Sequence, residues 1–239
     1  MPALKVPYRA LPPMSEATRA ALSREALRIN DRYLHEVIEG HAFCPFARGG
    51  REAGQTSRYV FLADTLEVTP LFDLMAQVAA DPQQVVAQVI LPLIEVEPDA
   101  WIRFCDELTA AGHDRLGGPP VLAFAALHPE LRYRADTHFS LIPLFRRAPD
   151  PTIQWVRLDA LAEIYAGRST ERVFVDPRDV LTFVREAPPP PTPLYDRVAR
   201  TNAETAHRLG LAKVEAMLGD QAREARESYG RILSEASGG

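Results

Sequence analysis

The residues best suited to chemistry are concentrated between Gly40 and Arg58, a stretch with a thiol, a glycine pair and three arginines. Proline favours the first position of a helix, so Pro45 places Cys44 at the helix cap. A thiol there faces unpaired amide N–H groups, which lower its pKa and favour the nucleophilic thiolate. Because cysteine is among the most buried residue types, a small buried hydrophobe is the alternative for Cys44.

His128 is the candidate general base for that thiol. It follows the apolar run Val121–Leu127, which predicts a strand, and so lies at the carboxyl end of that strand, where open α/β sheets bind ligands. Imidazole titrates near neutral pH and is suited to accept the proton of Cys44. A histidine hydrogen-bonded into a strand end before Pro129 explains the same residues equally well.

The arginines indicate a second chemistry, the binding of anions. Gly49 and Gly50 expose backbone N–H groups between two arginines, and a guanidinium forks a carboxylate. A positive floor could be formed by Arg48, Arg51, Arg58, Arg132, Arg134, Arg146, Arg147 and Arg157. From that set the predicted ligand-binding residues are Arg48, Arg51, Arg58, Arg147 and Arg157, joined by Gln154. Only Lys5 and Lys213 are lysines, so coding bias is an alternative explanation for the arginines.

Metal and cofactor chemistry has little support in the sequence. His35, His41 and Cys44 match no zinc spacing, and no second Cys-His pair completes four ligands. Helix capping explains the acidic residues between Glu95 and Asp99 more simply than a hard cation does. The sequence therefore predicts no metal site and no cofactor.

Composition narrows the class of protein. The chain has 239 residues, 46% of them hydrophobic and 25% charged, which is typical of a globular protein with a substantial core. A net charge of -5 argues against a nucleic-acid partner. No run approaches the roughly 18 apolar residues of a membrane helix, and residues 1–14 lack a signal-peptide core. Cys44 and Cys105 are too few for a disulfide framework, so we expect a cytoplasmic protein with free thiols.

Hydrophobic periodicity predicts the elements that position these residues. The predicted helices are Ser15–Glu39, Thr69–Ala80, Glu97–Gly112, Asp159–Ala166 and Pro177–Glu186, and the predicted strands are Ser57–Ala63, Gln84–Leu91, Val121–Leu127 and Thr152–Leu158. Helices that alternate with apolar strands indicate crossover units. We therefore expect an α/β fold with a mixed, partly parallel sheet of four or more strands, helices packed on it, and a C-terminal helical segment.

Prolines divide the chain into three predicted parts: an α/β domain over 1–186, a stiff proline-rich linker over 187–193 and a helical segment over 194–239. Gly210 and Gly219 are predicted to interrupt that segment. Its last part places Ala222, Ala225, Tyr229, Ile232 and Ala236 on one stripe. The stripe needs a partner, either the main domain or a second copy, so a homodimer through these helices is one expectation.

Five motifs in succession resemble an uncharacterised bacterial Cys-Pro-Phe-Ala family known as domain of unknown function number 1415. The motifs are Gly40-x-x-x-Cys44-Pro45-Phe46-Ala47-Arg48, Arg58-Tyr59-Val60, His128-Pro129, Arg147-x-Pro149-x-Pro151-Thr152 and Asn202-x-Glu204-Thr205-x-x-Arg208-Leu209-Gly210. The resemblance implies a cytoplasmic α/β protein without an assigned activity. This chain departs from the family pattern by Tyr33 for tryptophan, Arg146-Arg147-Ala148-Pro149 for Asn-Arg-Ser-Pro, and Gln154 for histidine.

Two functions follow as hypotheses. Because glutamine does not titrate, Gln154 cannot replace a histidine in proton transfer, which favours a binding protein for a peptide or small anionic carboxylate ligand. The loop Leu131–Asp150 is long enough to fold over an extended ligand. The expected role is an accessory or guiding component in bacterial peptide natural-product maturation. The alternative is an enzyme with Cys44 as nucleophile and His128 as general base, acting on a peptide or small-acid substrate.

Overall fold

Four short segments form one sheet in the computed structural model, which describes residues 4–44, 46–161 and 194–238. The strands are β1 Thr56–Val60, β2 Val86–Ile90, β3 Leu122–Leu127 and β4 Thr152–Arg157, in the order β1-β2-β4-β3. Strands β1 and β2 are parallel, whereas β4 is antiparallel to both of its neighbours. The sheet is therefore mixed, as predicted, and the α/β class is confirmed.

Helices connect the strands and flank the sheet. They are α1 Glu16–Arg32, a π-helical segment Tyr33–Glu39, α2 Ala47–Glu52, α3 Thr69–Ala80, α4 Pro98–Leu116, α5 Ile142–Phe145, α6 Leu194–Leu209 and α7 Leu211–Ser237. The predicted N-cap of α1 is confirmed, since the hydroxyl of Ser15 accepts a hydrogen bond from the Thr18 N–H at 3.1 Å. Helices α3 and α4 are the crossovers between β1 and β2 and between β2 and β3.

The predicted helix Ser15–Glu39 changes its hydrogen-bond pattern at Tyr33. From there bonds run between residues five apart, as from the Gly40 N–H to the His35 carbonyl at 3.0 Å. Such segments are rare and occur frequently at functional sites. Residue spacing predicts the helix but cannot distinguish this wider turn from an α-helical one.

Two glycines predicted to end or break helices lie inside them instead, and both predictions are wrong. Helix α4 continues past Gly112 to Leu116, and α7 continues past Gly219. A glycine in a helix costs about 1 kcal/mol relative to alanine, which tertiary contacts can outweigh. At Gly112 an added Cβ would lie 2.2 Å from the Met75 sulfur, so the glycine permits close approach of α3 and α4. The predicted break at Gly210 is confirmed, at a φ of 89°.

The sheet has two differently covered faces. Helices α3 and α4 cover one of them, with Trp101, Phe104 and Trp155 in its buried core. Helix α1, the π-helical segment and the C-terminal helices cover the other. Ala222, Ala225 and Tyr229 of the α7 stripe are buried, and α7 packs along α1 of the same chain. The main domain thus covers this part of the stripe.

Several predicted features lie outside the described residues. Residues 158–161 are helical, but the rest of the helix predicted to Ala166, the helix Pro177–Glu186 and the linker over 187–193 fall in the range that is not described. The predicted three-part division therefore stays a prediction. Among the helices in the described ranges, none has the length and apolar character to cross a membrane.

Candidate functional site

A cavity of about 220 Å³ lies between the second face of the sheet and the π-helical segment. Its walls are largely apolar, with side chains that come from the π-helical segment, the stretch after it, β3 and α5: Leu34, Ile38, Phe43, Leu127 and Phe145. The side chains with polar groups in this lining are Tyr33, Glu39, Cys44, Arg51, Thr56, Gln88, Arg146 and Gln154. Apolar walls with a few convergent polar groups are typical of small-ligand sites.

Cys44 lines this cavity but does not occupy a helix cap. Helix α2 begins at Ala47, with Phe46 as its N-cap residue. Backbone N–H groups of Phe46 and Ala47 do bond to the sulfur, yet burial outweighs them and raises the pKa of the Cys44 thiol. The predicted lowering of the thiol pKa is therefore wrong, and the neutral thiol predominates at pH 7. Both Cys44 and Cys105 are free.

His128 lines a different cavity, at the carboxyl ends of the strands. Its side chain is 4% exposed, and the backbone engages both ring nitrogens. Nδ1 accepts a hydrogen bond from the Glu130 N–H at 3.1 Å, which leaves Nε2 to donate to the Val96 carbonyl at 3.0 Å. Burial also lowers the pKa of His128. The structure thus does not bring the predicted base to Cys44, and it favours the alternative of a histidine fixed at a strand end.

Arg48 and Arg51 share one carboxylate partner, Glu39. Glu39 has a side chain only 3% exposed, and both carboxylate oxygens accept hydrogen bonds from the Arg51 guanidinium at 2.8 and 2.9 Å. Arg48 lies 3.7 Å from the same carboxylate and is otherwise exposed. The bond from Arg51 holds the pKa of Glu39 below its ordinary value. Arg51 lines the cavity, but its guanidinium is already paired with Glu39.

The other arginines predicted to bind the ligand lie outside the cavity, and no shared positive floor forms. Arg58 pairs with Asp31 on α1. Arg157 pairs with Asp159 at 2.6 Å. Arg147 donates to the Leu131 carbonyl at 2.7 Å and to Glu215 at 3.3 Å, and its guanidinium lies over the Tyr133 ring. Each of these side chains joins structural elements.

Arg146 lines the cavity, and its positive charge has no counterion among the described residues. No hydrogen bond or ion pair of its guanidinium involves any described residue. Arg146 is an exposed residue, although partial desolvation of its guanidinium lowers the pKa of Arg146. The side chain also lines a neighbouring cavity of about 210 Å³. Because no described residue compensates its charge, the guanidinium is available to pair with an anion at the wall of the cavity.

Gln88 and Gln154 form the polar floor of the cavity. They are opposite each other on β2 and β4, in the row that also holds Arg58 and Ala125. Gln88 is 3% exposed and donates from Nε2 to Oε1 of Gln154 at 2.9 Å. The amide oxygen of Gln88 has no hydrogen-bond partner among the described residues. Buried polar groups are normally satisfied, so this oxygen indicates a missing hydrogen-bond donor.

Sequence reasoning found Cys44, Arg51 and Gln154 but did not single out Arg146, Gln88 or Tyr33. Gln88 had a recognisable signal, because it interrupts the apolar run of β2 with an amide. Tyr33 had a weaker one, as a departure from the family pattern, and its hydroxyl donates to the Phe145 carbonyl at 3.3 Å. Arg146 had the same kind of signal, because it replaces the asparagine of the family pattern, and it was also a member of the arginine set.

Within the described ranges no group of three or more histidine, cysteine or acidic side chains is placed to hold a metal ion.

No protein-family model matches the chain, and searches of curated proteins and of solved structures likewise give no significant match. The resemblance to the Cys-Pro-Phe-Ala family therefore stays a prediction. The proposed function therefore rests on the geometry of the site.

Proposed function

We propose that the protein binds a small carboxylate ligand, or a peptide through its carboxylate, in the cavity beneath the π-helical segment. The observation that carries the proposal is the Arg146 guanidinium, a cation without a counterion at the wall of an apolar cavity. The proposal keeps the predicted ligand class and assigns its recognition to Arg146 instead of Arg147.

The size and polarity of the cavity support this class of ligand. Sites for drug-sized molecules usually measure about 300–1,000 Å³, so a volume of about 220 Å³ suits a smaller body. A carboxylate would form a bidentate, charge-assisted pair with the guanidinium, and hydrogen bonds to charged groups contribute about 1.5–3 kcal/mol. The apolar body would contact Leu34, Phe43 and Phe145.

Calorimetry with 4-methylpentanoate tests the proposal. We expect saturable binding to the wild type and at least a tenfold loss of affinity in Arg146→Met, which keeps the apolar stem and removes the charge. Arg134→Met is the matched control, because the Arg134 side chain is 81% exposed and its ion pair among the described residues is with Asp136. Equal affinity of Arg146→Met and wild type, or no saturable binding to the wild type, would contradict the proposal.

The location, the biological role and the oligomeric state of the protein belong to the same proposal. A cytoplasmic location is supported by the two free thiols. The role as an accessory or guiding component in bacterial peptide natural-product maturation is motivated by the arginine set, by Gln154 in place of a histidine and by the long loop Leu131–Asp150. A homodimer remains part of the proposal as well, although α1 already covers much of the stripe that suggested it.

The enzyme alternative keeps one supporting observation, since the Cys44 thiol lines the same cavity. A nucleophilic thiol needs a lowered pKa or an adjacent base. Burial raises the pKa of Cys44, and His128 lines another cavity. Binding is therefore the better supported function.

A further inference from the structure

We propose that the ligand carries an amide group next to its carboxylate, and that the Gln88–Gln154 pair recognises that amide. The shared chemistry is that of an N-acyl amino acid, whether free or as the C-terminal residue of a peptide. This inference rests on the proposed carboxylate function and specifies its ligand.

The hydrogen bond between the two glutamines determines which of their amide atoms remain available to a ligand. One bond joins Gln88 Nε2 to Gln154 Oε1, so Gln88 Oε1 remains as an acceptor and Gln154 Nε2 as a donor. The pair therefore presents one acceptor and one donor, which is the complement of a single amide. A peptide group offers one N–H and one C=O and satisfies both at once.

The burial of Gln88 makes this recognition selective. Its unpartnered amide oxygen lies in a strand at the centre of the sheet, where water does not replace a missing donor easily. A site built to hydrogen-bond an N–H rejects an analogue without it, because the buried acceptor then stays unpaired. A loss of about tenfold is expected for one such hydrogen bond.

The remaining walls limit the side chain of the bound residue. Leu34, Ile38 and Phe43 offer apolar contacts, and the volume of about 220 Å³ suits one residue of moderate size. Leucine fits this description. A longer peptide would keep only its last residue in the cavity and leave the rest outside.

Calorimetry with N-acetyl-L-leucine and its ester analogue tests the inference. In the analogue an oxygen replaces the amide N–H, while the carboxylate and the apolar side chain are unchanged. We expect the wild type to bind N-acetyl-L-leucine about tenfold more tightly than the ester. In Gln88→Met this preference should disappear, whereas Gln154→Met should weaken the binding of both ligands, because both offer a carbonyl to Gln154 Nε2.

Gln84→Met is the matched control. Gln84 is also buried, but it bonds to the Tyr59 hydroxyl and does not line the cavity, so this variant should keep the preference. Thermal unfolding of each variant verifies that it folds. N-acetyl-L-leucinamide, which lacks the carboxylate, should bind at least tenfold more weakly than N-acetyl-L-leucine.

The possible failures are distinguishable. Equal affinity of the wild type for the amide and the ester, or a preference that persists in Gln88→Met, overturns the amide inference while carboxylate binding stands. No binding of N-acetyl-L-leucine, the ester or 4-methylpentanoate overturns the proposed function itself. Acetyl-Ala-Ala-Leu distinguishes the two sources. Tighter binding than N-acetyl-L-leucine supports a peptide C-terminus, and weaker binding supports a free N-acyl amino acid.

Discussion

Arg146 and Arg147 are adjacent after α5 and have opposite environments. Arg147 is bound by a backbone carbonyl, Glu215 and the Tyr133 ring, so its charge is compensated within the protein. Arg146 lines two cavities without a carboxylate partner among the described residues. A charge that the fold compensates is structural, whereas one that it leaves open is available to a ligand. The functional assignment depends on this difference between neighbours.

The Cys44 thiol provides a prediction at the scale of one residue. Since burial raises its pKa, we expect iodoacetamide to label Cys44 slowly at pH 7. The rate should rise with pH along a curve whose midpoint lies above the ordinary cysteine value of about 8.5. The measurement is the pH dependence of the labelling rate in a Cys105→Ala variant, which leaves one thiol.

The reciprocal variant Cys44→Ala is the control for that labelling experiment. Cys105 is fully buried in α4, and burial raises its thiol pKa well above the ordinary value, so this variant should label only on unfolding. A midpoint for Cys44 below that of free cysteine would revive the enzyme alternative. It would mean that the N–H groups of Phe46 and Ala47 outweigh burial.

At the residue scale, the sequence predicts which residues line the site better than it predicts the partners of their side chains. Cys44 and Gln154 are cavity residues as predicted, because their types and their places in the chain were informative. The partners of an arginine depend on residues distant in sequence: Glu215 for Arg147 and Asp31 for Arg58. A single sequence does not show that these arginines and carboxylates form ion pairs. Nor does it show that Arg146 has no such partner among the described residues.

At the scale of elements, the π-helical segment makes the largest difference to the site. Its wider turns direct Tyr33, Leu34, Ile38 and Glu39 toward the cavity. The Gly40 N–H bonds back to His35 and the Phe43 N–H to Ile38, which positions the chain before Cys44. The Gly40–Arg58 stretch therefore takes its geometry from the helix before it.

Close packing of α3 and α4 gives a prediction at this scale. In Gly112→Ala the new Cβ would lie 2.2 Å from the Met75 sulfur, so the buried methionine must move. Overpacking costs about 1–3 kcal/mol, more than the roughly 1 kcal/mol that alanine gains over glycine in a helix. We expect a lower free energy of unfolding, measured by urea denaturation.

The matched control for this variant is Gly219→Ala. Gly219 is exposed inside α7, and nothing lies within 4 Å of an added Cβ. The same substitution should therefore stabilise the protein by about 0.5–1 kcal/mol. If Gly112→Ala also stabilised it by that amount, α3 and α4 would not depend on the glycine for their contact.

The elements themselves were largely predictable. Each observed strand lies within its predicted segment or begins one residue before it, because β-branched and apolar runs bounded by turns are a strong local signal. The two helical glycines were mispredicted, since the contact that stabilises Gly112 comes from α3. A local pattern contains no information about that contact.

At the scale of the whole molecule, the C-terminal helices are joined to the α/β core by apolar and polar contacts. Ala225 and Tyr229 of α7 share a buried cluster with Leu22 and Ile29 of α1. Arg28 and Arg32 of α1 both pair with Glu224 of α7. The sequence predicted an amphipathic stripe here but left its partner open, because amphipathicity shows that a face is buried and not which surface covers it.

The contact between Asp150 and α7 predicts how stability depends on pH. The Tyr229 hydroxyl donates to the Asp150 carboxylate at 2.8 Å, but burial dominates and raises the pKa of Asp150 from 3.8 to about 7. Between these two values the folded state binds more protons than the unfolded state. The free energy of unfolding therefore falls as pH rises through this range, by roughly 4 kcal/mol at most from this group.

Urea denaturation of wild type and Asp150→Asn at about pH 5 and about pH 8 measures this contribution. Asparagine keeps an acceptor for Tyr229 and cannot ionise, so the variant should be the more stable protein at pH 8, and the difference should shrink at pH 5. Asp73→Asn, at an exposed position of α3, controls for the loss of a carboxylate and should follow the wild type. Parallel profiles for Asp150→Asn and wild type would mean that Asp150 ionises in the folded protein without cost. The C-terminal helix would then be held by its apolar face and the Glu224 pairs alone, and its attachment would not respond to pH.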